Sequence, residues 1–485
     1  MSHSISAVQD EIQPRPQRVL SFRDLFFFYV VTGISLRWIA AAAVAGPKSI
    51  VIWLGAWLFF YVPLALSVIE LSSRYPDEGG LYVWTKQAFG EFPAFLCGWV
   101  YWTSYFPYLP AALYFAAGNA LYICYGSWGR FSEHAGYYII FSLISLVIVT
   151  WINLVGLKAG RWLHDAGALA MWIPAAIIFV MGVIAWLRFG AANSFDLHSM
   201  MPSIHSKDMM FWSLLIFAFG GSEAASFMGA EIKGNKRTIP AALLSAGFTV
   251  ALCYIFGTLG VLLALPAAEV SNLQGLMQAI TRTAERVGFN HVVPITAFLI
   301  ALSSIAAVSA FLAASARLPF VAGLDRILPS IFGKLHPTWG TPWIALLVES
   351  GVGAVFLLLG QFQASVKGAY EVLLTIGVIT YFIPYMFLFA SLLKLQGQPA
   401  GEDVIRIPGG KWVGRVVAIV GLLVAASAII LSLVPSSDEP HTVLAVAKAV
   451  GITIALLGVG AWIYWAGKKN SRALTKRERP FSSPD

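Results

Sequence analysis

Long apolar stretches separated by short polar ones run through almost the whole chain of 485 residues. A helix needs about 20 apolar residues to cross the hydrocarbon core of a bilayer. Stretches of that length predict about twelve spans, at 24–45, 49–73, 93–124, 137–156, 165–187, 210–232, 239–265, 292–318, 343–360, 368–395, 412–434 and 443–467. Between the seventh and eighth, NLQGLMQAITRTAERVG reads as a short amphipathic helix on the membrane surface.

Two spans are interrupted. In the sixth, MFWSLLIFAFGGSEAASFMGAEIKGNKRTIP (Met210 to Pro240), the apolar run breaks at Gly220-Gly221-Ser222, and Glu223 follows at once. In the first, LFFFYVV gives way to Thr32-Gly33-Ile34-Ser35, and Arg37 follows before IAAAAVAG. Backbone groups in a membrane must be satisfied, so unwound chain at mid-depth has to line a cavity or a polar site. Interrupted segments at matching positions of two halves point to a solute site. Their spacing predicts two inverted halves, about 24–187 and 210–395, with 412–467 appended and tails at 1–23 and 468–485.

Composition strengthens the membrane reading: 58% of residues are hydrophobic, 12% are charged and the mean hydropathy is +0.75. Soluble domains carry about 25% charged residues. The opening MSHSISAVQDEIQPRPQRVLSFRD is polar and has no cleavable signal pattern. A net charge of +8 raises the question of nucleic acid, but the placement of the basic residues answers it better. With the N-terminus inside, 23 of the 32 Lys and Arg fall on inner segments and span ends, and seven on outer ones. That bias predicts a multi-pass protein of the cell membrane with both termini cytoplasmic. Cys97, Cys124 and Cys253 form no CxxC pair, so neither disulfide nor metal site is expected, and no cofactor. The chain has no GxxxxGK[ST], HExxH or GxSxG, and its closest pair of histidines in one outer loop is His198 and His205. ATP drive within the chain and enzymatic chemistry are therefore not expected.

Three stretches carry a family likeness. AFGGSEAASFMGAEIKGNKRTIPAA, IELSSRYPDEGGLYVWTKQAFGE (Ile69 to Glu91) and ASARLPFVAGLDRILPSIFGKLHPTWGTP (Ala314 to Pro342) resemble the sixth span, the loop after the second span and the eighth-span exit of amino acid–polyamine–organocation transporters. The resemblance implies an all-α leucine-transporter-like fold: five plus five inverted helices, two further C-terminal helices, and broken helices 1 and 6. It implies alternating access around a site between spans 1, 3, 6, 8 and 10. Amino acids or related amines are the substrates it implies, carried with protons or by exchange. A solute sensor on the same fold is the remaining alternative. The resemblance leaves the oligomeric state open.

On this reading the substrate site falls at Thr32, Gly33, Ile34, Ser35, Tyr105, Tyr108, Phe219, Gly220, Gly221 and Ser222. Backbone N–H groups around Gly33 to Ser35 suit a carboxylate, and carbonyls around Phe219 to Gly221 suit an ammonium. Close packing through small residues is the plainer account of the same glycines. Phe219, Tyr381 and Tyr385 are gate candidates, against simple aromatic packing. Arg37 and Glu223 follow the two breaks, on fragments that the implied fold makes neighbours; they are candidates for a charge pair, either rearranged by substrate or proton or permanently structural, and the sequence leaves open whether they pair. Proton-coupled relatives carry a lysine in the fifth span; here HDAGALAMWIPAA offers Met171 in its place. Glu349 and Glu371 read as edge positions near water, and Arg74, Asp77, Glu78, Glu231, Lys233, Lys236 and Arg237 as an inner-face latch or as solvated charges.

Overall fold

The computed structural model describes residues 20–76, 79–124, 129–202, 206–232, 237–270, 275–324, 327–359, 366–399, 401, 404–433 and 442–477. These residues form helices, short 3-10 segments, one π turn and a single isolated bridge between Leu20 and Ile232. Nine helical stretches among them are long and apolar enough to cross a membrane, from Phe22–Val44 to Val450–Lys469. Three expected spans fall short for identifiable reasons. The 93–124 segment lies on a 30-residue helix rich in Tyr and Trp with Pro107 and Pro110 inside it. The 343–360 segment is a helix of 17 residues, Trp343–Leu359. The 210–232 segment is broken.

The chain enters at Ser21. Its side chain caps the first helix by accepting from the Asp24 N–H, and the Asp24 carboxylate accepts from the Ser21 N–H at 2.9 Å. This capping box satisfies two donors that a helix start leaves over. Helix α1 (Phe22–Gly33) then stops, and α2 (Arg37–Val44) restarts after a gap at Ile34–Leu36. Helix α3 (Lys48–Ala56) continues through the π turn Trp57–Tyr61 into α4 (Val62–Arg74), and α5 (Leu81–Phe89) precedes the long α6 (Glu91–Ala120). Helices α7 (Ala135–Val155) and α8 (Leu157–Phe189) follow.

Helix α9 (Ser206–Phe217) loses its winding at Ala218, and the chain resumes as a 3-10 run, Ala224–Glu231. Next come α10 (Thr238–Ala264), α11 (Gly275–Val287), α12 (Val292–Ser315), α13 (Arg317–Leu324), α14 (Trp343–Leu359) and α15 (Val366–Leu395). Helices α16 (Gly410–Ser432) and α17 (Thr442–Arg477) follow. The amphipathic α11 buries Leu276, Met277, Ile280, Ala284 and Val287 along one stripe and docks on α8. The three cysteines are free thiols.

The core is where α1, α6, α9, α10, α12 and α15 converge. Helix α8 packs on α10 and α12, and α15 on α6 and α16. The α8–α10 crossing depends on two glycines. A Cβ on Gly182 meets the Gly260 carbonyl oxygen at 2.2 Å, and one on Gly260 meets the Ile178 carbonyl oxygen at 2.6 Å. Small residues let membrane helices approach this closely, so that backbone packing replaces the missing hydrophobic drive. Lipid-facing positions such as Trp151, Leu187, Trp412 and Ile430 are exposed and apolar, as expected for surfaces solvated by acyl chains.

Gly260→Leu is expected to force α8 and α10 apart. Overpacking of this kind costs roughly 1–3 kcal/mol, read as a lower melting temperature in detergent. An unchanged melt would mean that the helices are not in backbone contact there.

Candidate functional site

The two breaks face each other. The Ile34 residue capping α1 is extended (φ −105, ψ 131), and Gly221 holds φ +102. Gly221 lies so close to the first break that an added Cβ would stand 2.5 Å from the Thr32 carbonyl oxygen. Only glycine adopts that backbone without strain and leaves that space. One hydroxyl joins both breaks. Tyr254 Oη on α10 lies 2.9 Å from the Gly33 carbonyl and 3.1 Å from the Ala218 carbonyl, to either of which it donates, and it accepts from the Ser35 N–H at 3.0 Å. The Tyr254 ring is fixed by stacking on Trp53, centroids 4.4 Å apart, and the Trp53 indole donates to Thr258 Oγ1.

The second break has its own brace. Glu223 is fully buried and accepts three phenol hydrogen bonds: Tyr101 at 2.6 Å and Tyr381 at 3.0 Å on Oε1, and Tyr385 at 2.7 Å on Oε2. Tyr385 Oη also accepts from the Gly221 N–H at 3.0 Å, and Tyr105 donates to Tyr101 Oη at 2.7 Å. The carboxylate thus ties the unwound turn to α6 and α15. Without such partners a buried carboxylate in a membrane is unstable by several kcal/mol.

Between the breaks lies a cavity of about 30 Å³, room for roughly two water molecules. Its lining includes Thr32, Gly33, Ser35, Tyr105, Tyr108, Gly220 and Tyr381, all expected from sequence. Ile34, Gly221, Ser222 and Tyr385 stand behind it, in the framework.

Several expectations are corrected. The Phe219 ring is turned away, edge-on to Trp53 at 5.6 Å and to Tyr254 at 5.5 Å; Phe217, 5.1 Å from Tyr381, lines the cavity instead. The N–H of Ile34 donates to the Val30 carbonyl and that of Ser35 to Tyr254, so neither is open to a carboxylate in this state. Arg37 and Glu223 do not form an ion pair. Glu223 is held by the three phenols, while the Arg37 guanidinium lies over the rings of Trp38 at 4.3 Å and Tyr108 at 5.0 Å. Glu349 is not at an edge: it is buried and accepts from Trp102 Nε1 at 2.8 Å and Ser315 Oγ at 2.6 Å. At the end of α4 Arg74 pairs with Glu70 at 3.1 Å within its own helix. Asp77, Glu78, Lys233 and Lys236 lie outside the described residues, as do the side chains of Glu231 and Glu371.

Sequence reasoning missed Tyr254, Tyr101, Ser104, Phe217, Phe311 and Gly377. The single Tyr of the seventh span was the available signal for Tyr254; the others sit among many similar residues.

Broken helices facing each other across a small cavity lined by aromatic rings, with Thr32, Ser35, Arg37 and Ser104 among them, suit a solute carrier, and similarity to known proteins agrees. The chain belongs to a family described as amino acid permease, which matches residues 20–471. It is thus a multi-pass membrane transporter, not an enzyme. It is 26% identical over 439 residues to an uncharacterized transporter of Legionella pneumophila, covering 87% of this chain and 91% of the relative. It is 24% identical over 400 residues to the "Probable agmatine/putrescine antiporter AguD" of Lactococcus lactis, covering 82% and 84%. It is also 25% identical over 380 residues to the serine/threonine exchanger SteT of Bacillus subtilis, covering 76% and 81%.

Tyr254→Phe keeps the ring stack and removes the hydroxyl shared by both breaks. Leaving those buried backbone groups without it is expected to cost roughly 1–3 kcal/mol, read as a lower melting temperature in detergent. A variant as stable as the parent would remove Tyr254 from the account.

Proposed function

We propose that this protein is a secondary active transporter that moves amino acids or related amines across the cell membrane by alternating access, with proton coupling. The observation that carries the reading is the pair of facing helix breaks around a cavity. The unwound turns bring carbonyls and hydroxyls to mid-depth, where a polar solute needs partners. The cavity is small and must widen to take a solute. Tyr381 and Phe217 are then the gate, Tyr105 and Tyr108 the side wall, and Tyr385 with Glu223 the brace that carries motion from α15 to the second break.

The finer architecture belongs to the same reading: twelve spans, inverted halves at about 24–187 and 210–395, helices at 412–467 appended, and tails 1–23 and 468–485 in the cytoplasm. The excess of basic residues on inner segments supports that orientation. The names of the relatives support amino acids and amines as the substrate class. Two of those names, an exchanger and an antiporter, favour exchange as the second mechanism. For proton coupling the groups are Glu223 and Glu349, buried carboxylates that accept from neutral donors with no cation beside them among the described residues. Met171 is buried in the fifth span, where a lysine would otherwise serve.

The test is uptake into proteoliposomes. An acidic exterior is expected to raise accumulation of a labelled amino acid severalfold, a protonophore to abolish the gain, and Glu349→Gln to make uptake independent of the gradient. Flux that requires an internal amino acid and ignores the pH gradient would favour exchange. Binding without flux would indicate a sensor.

A further inference from the structure

Arg37 is the one observation that the transporter reading leaves unexplained. It is 2% exposed, it lines the cavity, and its Nε and Nη1 have no hydrogen-bond partner. A buried unpaired charge destabilises a protein by several kcal/mol. Cation–π attraction to Trp38 and Tyr108 offsets part of that cost but bonds none of the N–H groups. The obvious counter-ion, Glu223, is committed to three phenols and does not line the cavity. No Asp or Glu is among the lining residues, so the cavity carries a charge of plus one.

We propose that the substrate is an amino acid with an acidic side chain, and that Arg37 holds its side-chain carboxylate. The inference rests on the transporter reading and narrows it. A zwitterion leaves the cavity charge uncompensated, and a polyamine adds to it. An acidic amino acid carries a net charge of minus one and neutralises it. The guanidinium is planar and its faces are near two rings, so its edges are what a carboxylate would meet, through up to two parallel bonds. The ammonium group then turns to the unwound carbonyls around Phe219 and Gly220. The same geometry disfavours the dications named for the Lactococcus relative, since like charges in a small cavity repel strongly.

The experiment uses the full chain in proteoliposomes with L-glutamate, L-aspartate, L-glutamine, L-serine and putrescine each radiolabelled in turn, competed by the unlabelled others. The expected result is uptake of the acids, with serine and putrescine competing at least tenfold more weakly. Arg37→Gln is expected to lower the apparent affinity for the acids about 10–100-fold, as loss of a charge-assisted bond would, and to shift preference towards glutamine. Retained glutamine uptake shows that the variant is folded. Arg37→Lys keeps the charge without the fork and should fall between the two. Uptake of serine or putrescine that glutamate does not compete overturns the acid specificity and leaves the transporter standing. Acid uptake unchanged in Arg37→Gln removes Arg37 from recognition. If wild type moves none of these solutes, the acid specificity is overturned and the substrate lies among the other amino acids or amines. Should Arg37→Gln lose all uptake, the wild-type competition series alone decides.

Discussion

A peptide group that leaves its helix inside a membrane has no water to turn to, and this structure is arranged around meeting that constraint twice. Gly33 and Ala218 present carbonyls that the helices no longer use, and the Tyr254 hydroxyl serves them both while accepting from Ser35. Gly221 presents an N–H that Tyr385 accepts, and Tyr385 is itself held by Glu223. Each break is therefore closed by tyrosines from helices of the other elements. The breaks cannot move independently of α6, α10 and α15, which is what a device that opens alternately to two sides requires.

The two buried charges at the breaks play different parts. Glu223 is fully satisfied by neutral donors and acts inside the protein, fixing the second break to α6 and α15. Arg37 lines the cavity, and its Nε and Nη1 have no hydrogen-bond partner. A glutamate among phenols gains three strong hydrogen bonds without a cation. An arginine between two rings keeps its charge, because its guanidinium does not release a proton at ordinary pH. That asymmetry separates framework from recognition more sharply than the sequence, in which the two residues occupy equivalent places after their breaks.

Nine of the twelve expected spans and both breaks were legible because they rest on local pattern: apolar length for the spans, Gly-Gly-Ser and Thr-Gly-Ile-Ser for the breaks. Fine geometry was not legible, since it depends on which way side chains turn. Phe217 and Phe219 are two residues apart in an unwound turn, and helical or strand periodicity says nothing there about which ring reaches the cavity. Glu349 looked exposed because its span is short, yet Trp102 and Ser315 close over it from α6 and α12. The Arg37–Glu223 pairing failed because proximity of two fragments does not fix direction. Tyr101, Tyr381 and Tyr385 reach the carboxylate first, and their positions are set by long-range packing.

The central claim is that a solute enters the space between the two breaks. The most direct measurement places a single thiol there: Ser104→Cys in a background with Cys97, Cys124 and Cys253 replaced by serine or alanine, labelled in proteoliposomes by a membrane-permeant maleimide. The account predicts that labelling slows in proportion to the occupancy of an amino acid the vesicles take up, and that a thiol on the lipid face at Leu187 labels at a constant rate. Equal labelling of Ser104→Cys with and without a transported solute would contradict it.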